Sequence, residues 1–342
     1  MQRLKLFALL VSALAALVLA LPAVSQTRWI AVTDTQTTRI TSTGRSLVTS
    51  ASTSAALSTL GGVATSRTIA GTALSSDISA ATLRSGLSLP AAAPALSTSG
   101  RLVYLLADSI GGSDGSAVSS WTDSVSSRSA VQATSANQPL FYSGASGEGI
   151  GVGRAVVRCD GTNDRLTIAG EAALDVSTLT LYLVARARRN SGSTLPASVV
   201  IIQRPYDLAG SSPYSEIGFW VPNSSQIEYR ADGTASSYAS VGNTGSDWAT
   251  PHVLVLTVGA GGSSLHVDGV RQATSATTSV AYNTANLNWA LCADGYTTAG
   301  EWWRGDIGAV ALYSGAHTSA QRRANEGALC MYYGLVCASG DT

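Results

Sequence analysis

Aromatic side chains set in polar turns are the residues of this chain best suited to chemistry. A sugar ring stacks its C–H face on an aromatic plane while nearby amides and carboxylates bond its hydroxyls. Three segments have that make-up: Arg204-Pro205-Tyr206-Asp207 onward to Pro213-Tyr214, the turn from Asp232 to Tyr238, and Asp294-Gly295-Tyr296 onward to Glu301-Trp302-Trp303. Tyr206, Asp207, Tyr214, Asp232, Tyr238, Tyr296 and Trp302 are therefore the candidate ligand-binding residues.

Other chemistries find less. Gly111-Gly112-Ser113-Asp114-Gly115 has the spelling of a nucleophile elbow, but no amphipathic helix follows it, so a Gly/Ser loop is expected. His252, His266 and His317 have no metal-ligand partner at short spacing, and a Ser-His-Asp set would require tertiary contacts that sequence does not reveal. Glycoside hydrolysis needs two carboxylates about 5 to 10 Å apart. Glu216, Glu228 and Glu301 stand isolated, with no acidic alternation along a strand, so no catalytic residue is expected. Asp108, Asp114, Asp123, Asp160 and Asp164 are the nearest approach to a calcium cluster, although each also fits a turn residue bonding its own backbone. No cofactor is expected, a single structural calcium ion being the one left open.

The elements that must position these residues fall into regions. Residues 1–25 read as a signal peptide or hydrophobic anchor: a basic start, an apolar run from Leu6 to Leu21, and Ala23-Val24-Ser25 as a small-residue cleavage site. Residues 26–100 are rich in Ser, Thr and Ala, with one aromatic, Trp29, after the leader, and cannot build an ordinary core alone. Short helices are expected at 54–60 and 76–84, ended by glycines, with Leu89-Pro90-Ala91-Ala92-Ala93-Pro94 as a stiff linker. Across 342 residues, Lys+Arg and Asp+Glu are 21 each, and the zero net charge argues against a nucleic-acid partner. Charged residues make up 12%, a balance more typical of extracellular or virion all-β proteins than of cytosolic enzymes.

From Arg101 onward short apolar runs alternate with turns, and strands are expected over 102–106, 155–159, 179–187, 198–203, 217–221, 227–230, 253–258, 264–267, 289–292 and 307–313. Asp268-Gly269, between Leu265-His266-Val267 and Val270-Arg271-Gln272, predicts a two-residue type I′ hairpin. The closing strand and a polar terminal helix ending at Tyr333-Gly334 complete an all-β, two-sheet antiparallel jelly-roll sandwich over 101–342. Cys330 and Cys337 flank the end of that helix and would staple it to its tail if the helix ends between them. Cys159 falls in a strand pattern, where a buried free thiol is the expected state.

Two resemblances follow from these residues. Trp121-Thr122-Asp123-Ser124, Val156-Val157-Arg158-Cys159-Asp160-Gly161, His252-Val253-Leu254-Val255, Leu265-His266-Val267-Asp268-Gly269 and the block from Gly305 to Leu335 resemble the concanavalin A-like lectin/glucanase superfamily in its laminin-G-like branch. That resemblance implies a sandwich in which Trp121 and Trp248 are core residues, with Cys159 standing where the family carries an aromatic. Gly44-Arg45-Ser46-Leu47, Leu57-Ser58-Thr59-Leu60-Gly61 and Ile69-Ala70-Gly71-Thr72 onward to Leu87 resemble the stalk segments of bacteriophage tail-fibre proteins. Together they imply a non-enzymatic attachment or fibre protein, at a virion surface or secreted, whose lectin-like domain binds a cell-surface glycan or protein. Other virion or fibre subunits are expected partners, and a homo-oligomer, preferentially a trimer, the expected assembly. The alternatives are a structural decoration protein contacting only other subunits and a secreted bacterial adhesin. A secreted polysaccharide hydrolase would depend on Glu216, Glu228 or Glu301.

Overall fold

The computed structural model describes residues 93–338, apart from 125, 145–146, 189–198, 209–216, 224–225, 231–238, 242–247 and 298, together with 39–42, 45–48, 68–69 and 72–73. The expected leader at 1–25 and the helices expected at 54–60 and 76–84 lie outside the described residues. The chain divides into two compact units, 1–90 and 91–342. In the first, β1 (Arg39–Ser42) pairs with β2 (Arg45–Val48) and β3 (Thr68–Ile69) with β4 (Thr72–Ala73), two antiparallel hairpins that the sequence reading did not anticipate.

The second unit contains β5 (Arg101–Leu106), β6 (Ser116–Ala117), β7 (Ser120–Thr122), β8 (Ser129–Val131), β9 (Leu140–Tyr142), β10 (Val156–Asp160), β11 (Leu166–Ile168) and β12 (Leu179–Ala187). These are followed by β13 (Val199–Arg204), β14 (Ile217–Asn223), β15 (Gln226–Arg230), β16 (Ala239–Val241), β17 (His252–Gly259), β18 (Gly262–Val267), β19 (Val270–Ser275), β20 (Trp289–Leu291), β21 (Arg304–Ser314) and the helix α1 (Ser319–Tyr333). Two antiparallel sheets form a sandwich. The first runs β19-β18-β17-β12-β21-β10-β9-β6, with β5 also on β21, and the second runs β16-β15-β14-β13-β20-β11-β8-β7.

Side-chain alternation explains the layers. Leu179, Leu181, Leu183 and Ala185 of β12 face the inter-sheet core, with Trp121, Trp248, Phe219 and Trp289. Tyr182 and Val184, on the other face of β12, meet Leu329, Cys330, Tyr332 and Tyr333 of α1. A strand covered on both faces reads as a continuous apolar run, which is how this one looks in sequence. The helix is fixed at both ends: Thr318 and Gln321 form a capping box, and Gly334 ends it in the left-handed region. Because the helix stops there, the chain folds back and Cys330 bonds Cys337. The Asp268-Gly269 hairpin has positive φ at both residues, as its turn type requires.

Cys159 is not a free thiol. It is bonded to Cys292, joining β10 of the first sheet to the end of β20 in the second. The two half-cystines are 133 residues apart, a pairing that strand patterns cannot reveal because it depends on which strands oppose each other across the core.

Candidate functional site

The second sheet places an aromatic and acidic rank on its outer face. In β14, Phe219 and Val221 enter the core, so Trp220 between them points outward. In β15, Ile227 and Tyr229 enter the core and Glu228 points outward. The register pairs Val200 with Trp220 and Trp220 with Glu228, while Trp302 forms a parallel bridge to Val200. Trp303, next to Trp302, is buried in the core, which turns Trp302 to the same outer side as Val200. Trp302, Val200, Trp220 and Glu228 thus form one line across the strands. With strands about 4.8 Å apart, the two tryptophans are roughly 10 Å apart, the span of about two sugar rings. Both are half-buried, and Glu228 is buried beside Trp220.

Two of the three aromatic turns meet at the end of this rank. Gly295 N–H donates to Gln203 Oε1 at 2.7 Å, and Thr297 N–H donates to the Leu208 carbonyl at 3.1 Å, so the turn after β20 is tied to the turn after β13. Glycine is required at 295 by close approach: a Cβ there would lie 2.5 Å from Pro205 Cδ. Asp294 closes its own turn, accepting from Gly300 N–H at 3.0 Å, and burial pushes its carboxyl above the ordinary range. Arg165 Nη1 donates to the Tyr296 carbonyl at 3.2 Å and adds the turn after β10. In consequence Tyr206, Asp207, Tyr296 and Trp302 belong to one connected loop cluster, all half-buried. Tyr214, Asp232 and Tyr238 lie outside the described residues. Trp220 was not among the sequence candidates and Glu228 was considered only as an isolated carboxylate, although an outward tryptophan between Phe219 and Val221 is visible in sequence as a break in strand alternation.

The remaining candidates have structural roles. Asp108 accepts from Ala155 N–H at 3.2 Å and from the Tyr332 hydroxyl at 2.7 Å, and Asp123 accepts from Tyr104 N–H at 2.9 Å. Asp114 accepts from Ser143 N–H at 2.6 Å, and Asp160 from Thr162 N–H at 2.7 Å. Asp164 accepts from Asp160 N–H at 2.8 Å, and burial raises its carboxyl to about 6. Among the described residues no three His, Cys, Asp or Glu side chains are grouped to hold a metal ion. The segment 111–115 is a loop with positive φ at Gly111, Gly112 and Gly115.

A hydroxyl, imidazole and carboxylate do line up elsewhere. Thr250 Oγ1 is 3.1 Å from His252 Nε2, and His252 Nδ1 is 2.6 Å from Asp268 Oδ2. Asp268 also accepts from Val253 N–H at 2.8 Å, and its carbonyl accepts from Ala338 N–H at 2.8 Å. This relay clamps the start of β17 to the β18–β19 turn and the C-terminal tail.

Residues 160–321, from the end of β10 to the first turn of α1, match a laminin-G family model described as "Concanavalin A-like lectin/glucanases superfamily". Over those residues the sandwich is similar to the lectin-like domains of that superfamily. The chain matches no curated protein. Among solved structures it is similar to the Trypanosoma rangeli sialidase, with 13% identity and a TM-score of 0.46, over 69% of this chain and 33% of that one. It therefore spans about a third of the sialidase chain. Domain 4 of AbnA, an extracellular GH43 arabinanase from Geobacillus stearothermophilus in complex with arabinotriose, has 14% identity and a TM-score of 0.42, over 66% of this chain and 97% of that one. The botulinum neurotoxin type G receptor binding domain has 12% identity and a TM-score of 0.41, over 68% of this chain and 52% of that one. These are likenesses of fold. The expectation of a non-enzymatic protein is corrected on this finding: the partial, fold-level likenesses are to a sialidase and to one domain of an arabinanase, both enzymes.

Proposed function

We propose that the sandwich is a carbohydrate-binding domain that holds a saccharide chain along the Trp302–Val200–Trp220–Glu228 rank. The observation that carries this is the register: two half-buried indoles flank Val200 on one sheet face, with a carboxylate one strand further on. Successive rings stack on Trp302 and Trp220, and Glu228 accepts from a hydroxyl. Tyr206, Asp207 and Tyr296 border one end of the rank, and Tyr214, Asp232 and Tyr238 are included as further contacts from the segments joining β13 to β14 and β15 to β16. In this reading residues 26–100 are a tail-fibre-like stalk that docks or oligomerises, and the protein acts in attachment, on a virion surface or secreted. Copy number then turns weak single contacts into avidity.

A glycan array followed by calorimetry with the best-bound oligosaccharide tests the site. Trp220→Ala and Trp302→Ala should each weaken binding about tenfold or more, about 1.4 kcal/mol, with unchanged circular dichroism. Equal affinity for both variants and the parent would remove the rank from the binding site. Assaying the same mixtures for reducing ends reads out whether bound saccharide is also cleaved.

A further inference from the structure

We propose a second binding site on the outer face of the first sheet, where Arg188 and Arg304 hold the carboxylate or sulfate groups of an acidic polysaccharide. This face is on the opposite sheet from the tryptophan rank and needs no residue of it. The register pairs Arg158 with Asp306 and Arg186 with Asp306, so one line across β10, β21 and β12 reads Arg158–Asp306–Arg186. Two residues along each strand the same face carries Asp160, Arg304 and Arg188, with Asp160 opposite Arg304 and Arg188 N–H donating to the Arg304 carbonyl at 3.0 Å. On the more distant part of this face the apolar residues are covered by α1.

The first line is complete in itself. Asp306 is fully buried, and it accepts from Arg158 Nε at 2.7 Å and from Arg186 Nε at 2.8 Å. Glu148 adds a carboxylate 2.7 Å from Arg158 Nη1, and Arg158 stacks over Tyr142 with its guanidinium carbon 4.0 Å from the ring centroid. Removing either arginine would leave a buried carboxylate poorly paired, so both are structural.

The second line is not complete. Asp160 turns its carboxylate into its own loop, towards Thr162 and Asn163 N–H, and Arg304 reaches only the Asp160 carbonyl, at 3.4 Å. Among the described residues Arg304 makes no ion pair, and its Nε is buried without a hydrogen-bond partner. Arg188 touches Glu148 and Asp306 only through Nη1, at 3.5 and 3.6 Å, leaving Nε and Nη2 without a bond among the described residues. Arg188 and Arg304 are thus neighbours across adjacent strands, about 5 Å apart at the backbone, with Arg304 directed to the Asp160 carbonyl and Arg188 holding Glu148 and Asp306 through one nitrogen. Like charges so placed destabilise a sheet, and an anion bridging them reverses the sign. The planar fork of arginine suits a carboxylate or sulfate. Because the whole chain is neutral, the attraction is local to this face.

The test is affinity of the full chain for polygalacturonate, dextran sulfate and neutral dextran at low and high salt. Polygalacturonate or dextran sulfate should bind more tightly than dextran and weaken as salt rises, and comparing the two acidic polymers separates carboxylate from sulfate recognition. Arg188→Gln combined with Arg304→Gln should lower that affinity at least tenfold, while thermal stability and neutral-glycan binding stay as in the parent. Trp220→Ala should leave acidic-polymer binding in place. The proposal is overturned if the double variant binds the acidic polymers as tightly as the parent, if the parent prefers neither to dextran, or if Trp220→Ala abolishes their binding.

Discussion

Asp164 holds the turn after β10 through Asp160 N–H, and the same burial that makes the turn rigid disfavours its charge. Its folded carboxyl, at about 6, lies above the unfolded value of 3.8, so between those values the folded state binds the extra proton. Its contribution to stability is therefore full at low pH and falls as pH rises from about 4 through about 6, opposite to a salt-bridged aspartate. Carboxyl NMR should give Asp164 a midpoint near 6, and Asp164→Asn should remove this component from the pH dependence of unfolding. A midpoint near 4 would mean the turn is open to water. At this scale the candidate residue types were legible and their grouping was not. Tyr206, Asp207, Tyr296 and Trp302 come together through bonds between distant turns, and Trp220 and Glu228 are aligned by cross-strand register, which pairs residues distant in sequence.

The ten expected strands of the sandwich all form, because alternation and continuous apolar runs are local signals of which faces are covered. The short strands β6 to β9, β11 and β16 were not legible. At two or three residues each they carry too few side chains to establish a period, and they form because a neighbouring strand offers them partners. The Cys159–Cys292 bond is the covalent link between the two sheets among the described residues, closing a separation of 133 residues. Replacing both cysteines by serine should lower the unfolding free energy by about 2–4 kcal/mol in denaturant titrations, chiefly by releasing the unfolded chain. An unchanged midpoint would show that the bond does not limit unfolding. The Cys330–Cys337 bond spans only 7 residues and should matter less to global stability.

The two faces of the sandwich differ in chemistry, indole and carboxylate on one sheet, guanidinium on the other, and the two proposed sites are separable by mutation for that reason. The composition of residues 26–100 predicts an oligomer, since so few apolar side chains can be covered only by other copies or a carrier. Light scattering of the full chain should give about three times the chain mass, and a monomer at micromolar concentration would contradict it. By itself the sequence determined the all-β class, the Asp268-Gly269 hairpin, the closing strand and helix, and the core tryptophans Trp121 and Trp248. Each depends on local pattern, on backbone conformation at one turn, or on residues that match a family framework. Only the tertiary structure decided that Cys159 meets Cys292, that Thr250, His252 and Asp268 align, that Trp220 stands beside Glu228 two strands from Trp302, and that Arg188 adjoins Arg304. Those are contacts between strands far apart along the chain, set by sheet order and register, and a one-residue slip in either would turn the same side chains to the opposite face.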